Sequence, residues 1–194
     1  TQRGRVTLGH IGAGYSYLGH YGQLSYASPD LGGLTFNAGL YSPVANGGTA
    51  LAGTMPQLQA GLAFKAGGMN AWAGAKSQKF EDTTNGNFTM NAAEVGGSFS
   101  LGGFELLANL QSGKGLGVLS DGDAGNVKQN NAFVQGTFAI TSDIKAGVGW
   151  GVSRLKTGSG PTLKSNENLT AGVYYKLTPS VTLNWSLIAG NAGR

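Results

Sequence analysis

Asn166-Glu167-Asn168-Leu169-Thr170-Ala171-Gly172-Val173-Tyr174-Tyr175-Lys176-Leu177-Thr178-Pro179-Ser180-Val181-Thr182-Leu183-Asn184-Trp185-Ser186-Leu187-Ile188 is the stretch on which the fold turns. Before the turn, Leu169, Ala171, Val173, Tyr175 and Leu177 alternate with Asn168, Thr170, Gly172, Tyr174 and Lys176. After it, Val181, Leu183, Trp185 and Leu187 alternate with Thr182, Asn184 and Ser186. A strand turns its side chains over at every residue, so each half has one apolar and one polar face. Thr178-Pro179-Ser180 supplies the tight reversal between them. The reading is a long antiparallel hairpin.

The same alternation continues toward the N-terminus. It runs through residues 144–153, 132–140 (with Phe133 off pattern), 104–111, 93–101, 58–65, 34–40 and 23–26. Residues 69–79 are weaker: their better face holds Met69 and alanines, and Trp72 falls with Asn70, Lys76 and Gln78. Helical spacing is almost absent. The pattern predicts ten strands, or eleven if the glycine-rich residues 11–18 form their own. Short turns (residues 29–33, 67–68, 102–103, 141–143 and 178–180) alternate with longer polar linkers (45–55, 81–87, 113–127 and 157–165). Short connections at one end and long ones at the other describe an antiparallel meander, and no internal domain boundary interrupts it.

Composition narrows the class. Glycine is 35 of 194 residues and charged residues are only 11%, against usual values of about 7% and about 25%. Glycine has no three-residue period, which excludes collagen, and the charge is too low for a disordered polyelectrolyte. No apolar run reaches the ~18 residues of a membrane helix. There is no cysteine, hence no disulfide, thiolate metal site or cysteine nucleophile. The 13 Lys and Arg against 9 Asp and Glu are scattered, without the clustered footprint of a nucleic-acid binder.

Two solvents could meet the apolar face: a protein core, or lipid. Three features favour lipid. The strands exceed the ~5–6 residues usual in globular sheets and suit tilted spans of about 9–11. The polar face is built from Gly, Ser, Thr, Asn and Gln rather than Lys and Glu. The linkers segregate by length, as they do between a periplasmic and an extracellular side. Tyr26, Phe64, Phe99, Phe104 and Phe138 lie near the short-turn ends, where an interfacial girdle would sit.

Catalytic patterns are missing. His10 and His20, the two histidines, have no convergent partners for zinc or for a triad and read as loop or rim residues. Ser112-Gly113-Lys114-Gly115 fails as a phosphate loop, with Ala108 in place of the first glycine. Asp121-Gly122-Asp123 has no closing Glu for calcium. No cofactor, metal site or enzymatic activity is expected. The polar face does carry charge: Lys65, Lys76, Glu94, Glu105, Lys145 and Lys176, with Gln135, Asn168 and Asn184 among its neutral members. On a wetted wall such residues would set the field met by solutes. Lys76 and Glu94 are expected to approach one another across a hairpin. Lys65, Lys145 and Lys176 sit close to short turns, where a rim position is an equal reading.

Four segments, residues 8–15, 23–29 with 32–34, 133–138 and above all 169–180 (LTAGVYYKLTPS), resemble the Gram-negative general porin family in its betaproteobacterial branch. The resemblance implies a sixteen-stranded transmembrane barrel, usually a homotrimer in outer-membrane lipid, that passes small hydrophilic solutes and ions by diffusion and binds no nucleic acid. Family members are much longer and end on an aromatic residue. Residues 1–194 are therefore expected to be a single partial porin domain, roughly strands six to fifteen, without the first strands, the constriction loop and the closing strand. The family's basic wall maps onto Arg3, Arg5 and Lys76 as candidates. Other classes remain open at this point: a soluble or surface-attached glycine-rich β adhesin, a structural partner barrel in an envelope complex, and an outer-membrane lipase, for which neither histidine has an obvious serine.

Overall fold

The computed structural model describes residues 5–12, 20–44, 50–84, 86–115, 126–156 and 164–193; for 5–12, 20 and 21 the description is of the backbone alone. The described residues form twelve strands: β1 (Arg5–Gly12), β2 (His20–Ala27), β3 (Leu34–Tyr41), β4 (Ala50–Ala52), β5 (Gln57–Ala66), β6 (Met69–Asp82), β7 (Phe88–Leu101), β8 (Phe104–Lys114), β9 (Lys128–Ala139), β10 (Ile144–Lys156), β11 (Ser165–Thr178) and β12 (Val181–Gly193). Eleven make one antiparallel meander in sequence order, and the short β4 pairs with the upper part of β6. β6, β7 and β11 reach 14 residues each, beyond the ~9–11 that a tilted span needs.

Local chemistry sets the hairpins. Between β7 and β8, Leu101 pairs with Phe104 across Gly102 and Gly103, whose φ values are 56° and 86°. A two-residue loop with both φ positive matches the strand twist, and glycine adopts it without a Cβ clash. The β11–β12 register shifts between Lys176 and Thr178, where the Thr178-Pro179-Ser180 turn begins.

The alternation predicted from sequence matches the ladder. Val173 opposes Ala146 and Trp185, Trp150 opposes Val134 and Leu169, and Tyr175 opposes Ile144 and Leu183, all on one face. Gln135 opposes Gly149, Asn168 opposes Gly151, Asn184 opposes Tyr174 and Lys176 opposes Thr182, all on the other. Phe133 shares that polar face, opposite Gly151 and Asn109.

Burial is inverted relative to a water-soluble protein. Leu62, Val95, Leu110, Val148, Leu169, Trp185 and Leu187 are exposed on the apolar face, while Gln57, Lys76, Gln78 and Thr137 are buried on the polar one. Soluble chains do not expose apolar surface on this scale. The stable arrangement puts the apolar face against hydrocarbon and the polar face against water or protein. Tyr26, Phe64, Phe99, Phe104 and Phe138 are exposed on the apolar face near the short turns, as an interfacial girdle requires, and Tyr26 packs on Phe36 with ring centroids 5.7 Å apart.

Three expectations change. The linker at residues 45–55 contains β4. The one at 81–87 shortens because β6 runs to Asp82 and β7 begins at Phe88. The polar face is not uniformly polar: Phe80, Phe88 and Met90 fall on it and bury with Ala50 and Ala92 in a small cluster, with Val44 packed alongside. Residues 13–18 of the possible extra strand lie outside the described residues, as do Asp121 and Asp123.

Candidate functional site

The polar face is the candidate site, and the register builds it row by row. Glu94, Gln111, Asn131, Ser153 and Asn166 stand at one level on β7 through β11. Gln111 donates to Glu94 Oε2 at 3.1 Å, Asn131 donates to Gln111 Oε1 at 3.2 Å, and Gln129 donates to Asn131 Oδ1 at 2.8 Å. Side-chain amides both donate and accept, so they relay a hydrogen-bonded ladder across strands while staying neutral. Sequence reasoning singled out Glu94 but passed over Gln111, Asn131 and Gln129. The available signal was their shared parity on an amide-rich face.

Nearer the short turns, Lys145 Nζ forms an ion pair with Glu105 Oε2 at 2.8 Å. Thr137 Oγ1 donates to the same oxygen at 3.1 Å. The pair spans β8 and β10 over the intervening β9. It is half exposed, and exposed pairs contribute only about 0–1 kcal/mol; its consequence is placement of charge. Glu105, Gln135, Lys145 and Lys176 line one open concavity of about 430 Å³. The structure thus joins Glu105 to Lys145, whereas the expected partners were Lys76 and Glu94. Glu94 opposes Gly74 and Lys76 opposes Ala92, so the two are diagonal, and Glu94 turns to Asn109 and Gln111 on β8.

The remaining candidates divide. Lys65, Asn168 and Asn184 are exposed on the polar face. Lys76 is on that face but buried, with 4% of its surface exposed. Arg5 pairs with Ala27 and shares the parity of the polar face by backbone register. Arg3 lies outside the described residues. His10 pairs with Gly22 and His20 with Gly12, on backbone alone. No group of three metal-ligating side chains occurs among the described residues.

Gly96 shows how the wall stays smooth. It opposes Trp72, and a Cβ there would come within 2.5 Å of the indole. The missing side chain lets Trp72 lie against the sheet. Gly96→Val is expected to lift Trp72 off the wall, costing about 1–3 kcal/mol as overpacking does. The checks are a shift in tryptophan emission and a lower urea midpoint in detergent.

An antiparallel meander with lipid-directed apolar residues outside and a hydrogen-bonded polar face opposite is the wall of an outer-membrane β-barrel. The chain belongs to the Gram-negative porin family, whose sequence profile matches residues 4–188. It is similar in fold to the anion-selective porin of Comamonas acidovorans (TM-score 0.68, 18% identity, covering 88% of this chain and 49% of that one). It is also similar to the trimer form of Vibrio cholerae OmpT (TM-score 0.70, 15% identity, 97% and 67%) and to Pseudomonas aeruginosa OpdQ (0.58, 12%, 98% and 57%). The chain spans about half the length of the Comamonas porin. No curated protein matches it. Family and fold together make it an integral protein of the outer membrane.

Proposed function

We propose that the chain forms much of the wall of a water-filled channel for passive diffusion of small hydrophilic solutes and ions, and that it catalyses no reaction. The observation that carries this reading is the inverted burial, with polar residues lining one face and bare apolar residues covering the other. The fold shared with a solved porin takes in 88% of this chain and about half of that one; on this proposal the eleven meander strands are part of a barrel of about sixteen strands, wide enough for water. Lys65, Glu94, Glu105, Gln135, Lys145, Asn168, Lys176 and Asn184 would face the lumen, with Arg3, Arg5 and Lys76 as further members of its basic wall. A homotrimer is the proposed assembly, supported by the trimer form of a similar fold.

The test is conductance in planar bilayers. The complete protein is expected to give stepwise, ohmic current with weak ion selectivity. Insertion verified by protease protection but without current would overturn the channel.

A further inference from the structure

Two aromatic residues depart from the alternation of the mid-sheet. Trp72 on β6 and Phe133 on β9 fall on the polar face, among amides and glycines. The register puts them in one row: Trp72, Gly96, Asn109, Phe133, Gly151 and Asn168 stand level on β6 to β11. Each ring rests beside a glycine, which has no side chain to cover it. A Cβ at Gly96 would come within 2.5 Å of the Trp72 indole, and one at Gly151 would lie 3.5 Å from Phe133 Cδ2. Trp72 is half-buried and Phe133 is 40% exposed. From β3 to β12 the row holds no charged residue. Neutral hydrogen-bonding groups flank it: Gln111 and Asn131 one step toward the long loops, Ser98 and Gln135 one step toward the short turns. Glu94, also one step up, accepts from the Asn109 and Gln111 amides. An apolar ring bared to water costs free energy until something apolar covers it. Amides around it both donate and accept. A pyranose suits both demands, with C–H bonds on its faces and hydroxyls around its rim.

We infer that this row is a binding track for a neutral oligosaccharide: Trp72 and Phe133 stack on two of its rings, and the flanking amides take its hydroxyls. The inference rests on the reading of this face as a water-filled lumen and names a class of solute for it. Three strand spacings of about 4.7–4.9 Å separate the two aromatic residues, about 14 Å in all. One sugar ring does not reach both; a linear trisaccharide does. Strands tilted by about 35–45° set the row oblique to the channel axis, so a saccharide held by both rings lies partly along the direction of passage. A planar aromatic solute would cover the rings but leave the amides to water. A charged solute finds no counter-charge in the row.

The test titrates the detergent-solubilised full chain with cellotriose, with glucose and with sorbitol, read by saturation-transfer NMR. Cellotriose is expected to bind, with saturation strongest at its ring C–H protons. Trp72→Ala/Phe133→Ala should bind it about a hundredfold more weakly, at roughly tenfold per ring. Trp72→Leu/Phe133→Leu keeps apolar bulk without a flat face and should lose nearly as much. Trp72→Phe/Phe133→Tyr keeps both rings and should stay within about threefold of the parent. Glucose, which meets one ring, should bind about tenfold more weakly than cellotriose. Sorbitol has the hydroxyls without a ring face and should not compete. Heat-dependent gel mobility checks that each variant is folded, and bilayer conductance in salt alone should stay near the parent's. Conductance by a parent that does not bind cellotriose would overturn this site and leave the channel standing. Cellotriose binding by a parent that does not conduct would support the site and overturn the channel. Undiminished binding by the alanine or the leucine pair, or equal competition by sorbitol, would also overturn the inference, and the rings would then serve only to cover glycine backbone.

Discussion

Val148→Arg is expected to cost the chain much of its stability in a bilayer, while Gln135→Arg, one strand away, costs little. Val148 lies in the middle of β10 between Gly136 and Ala171 on neighbouring strands, and 61% of its surface is exposed. In hydrocarbon that exposure is favourable; a guanidinium at the same depth costs about 2–4 kcal/mol. This converts to a folded-to-unfolded ratio lower by about 30-fold to several hundred-fold. Gln135 opposes Gly149 and Leu107 on the polar face, where a long cation can extend into water. Refolding into lipid vesicles, followed by heat-dependent gel mobility and urea titration, measures both. Equal losses would show that the two faces do not meet different solvents, and a larger loss for Gln135→Arg would show that the sidedness of the sheet is reversed.

That contrast also shows how much the sequence could say. Strict alternation over residues 169–187 fixed strand, face and register, because a period of two leaves no freedom once one face must avoid water. The end-segregated turns fixed the meander. Pairing within the polar face was less legible. Lys145 and Glu105 are 40 residues apart and meet only because β9 brings β8 and β10 to a common level, which depends on two registers at once. The inward cluster of Phe80, Phe88 and Met90 was hidden for another reason. A period-two reading assigns one solvent to each face along its whole length. Here the chain around Val44 and Ala50 returns over the long-loop end of the polar face and creates a local apolar interior.

The residue that fastens that return is Gln78, and Gln78→Ala is expected to release it. Gln78 Nε2 donates to the Val44 carbonyl at 2.7 Å, and Val44 N–H donates back to Gln78 Oε1 at 3.3 Å. The side-chain amide thus imitates a strand neighbour for a segment that has left the sheet. Gln57 Nε2 donates to the same Oε1 at 2.6 Å, and Gln59 Nε2 donates to Gln57 Oε1 at 2.5 Å. Gln57 and Gln78 are 0% and 1% exposed, so water does not replace a lost partner unless the site opens. Each buried polar group left unpaired costs about 1–3 kcal/mol, and truncating Gln78 strands three. Partial relaxation brings the expected loss to about 2–4 kcal/mol, concentrated where Val44 and Ala50 pack against Phe80 and Met90. Limited proteolysis in detergent reads this directly, as new cleavage between residues 42 and 57 without loss of the remaining barrel. Gln57→Ala keeps both bonds between Gln78 and Val44 and should leave that segment protected while lowering the urea midpoint less. Equal protease resistance of Gln78→Ala and the parent would show that the apolar cluster alone holds the segment to the wall.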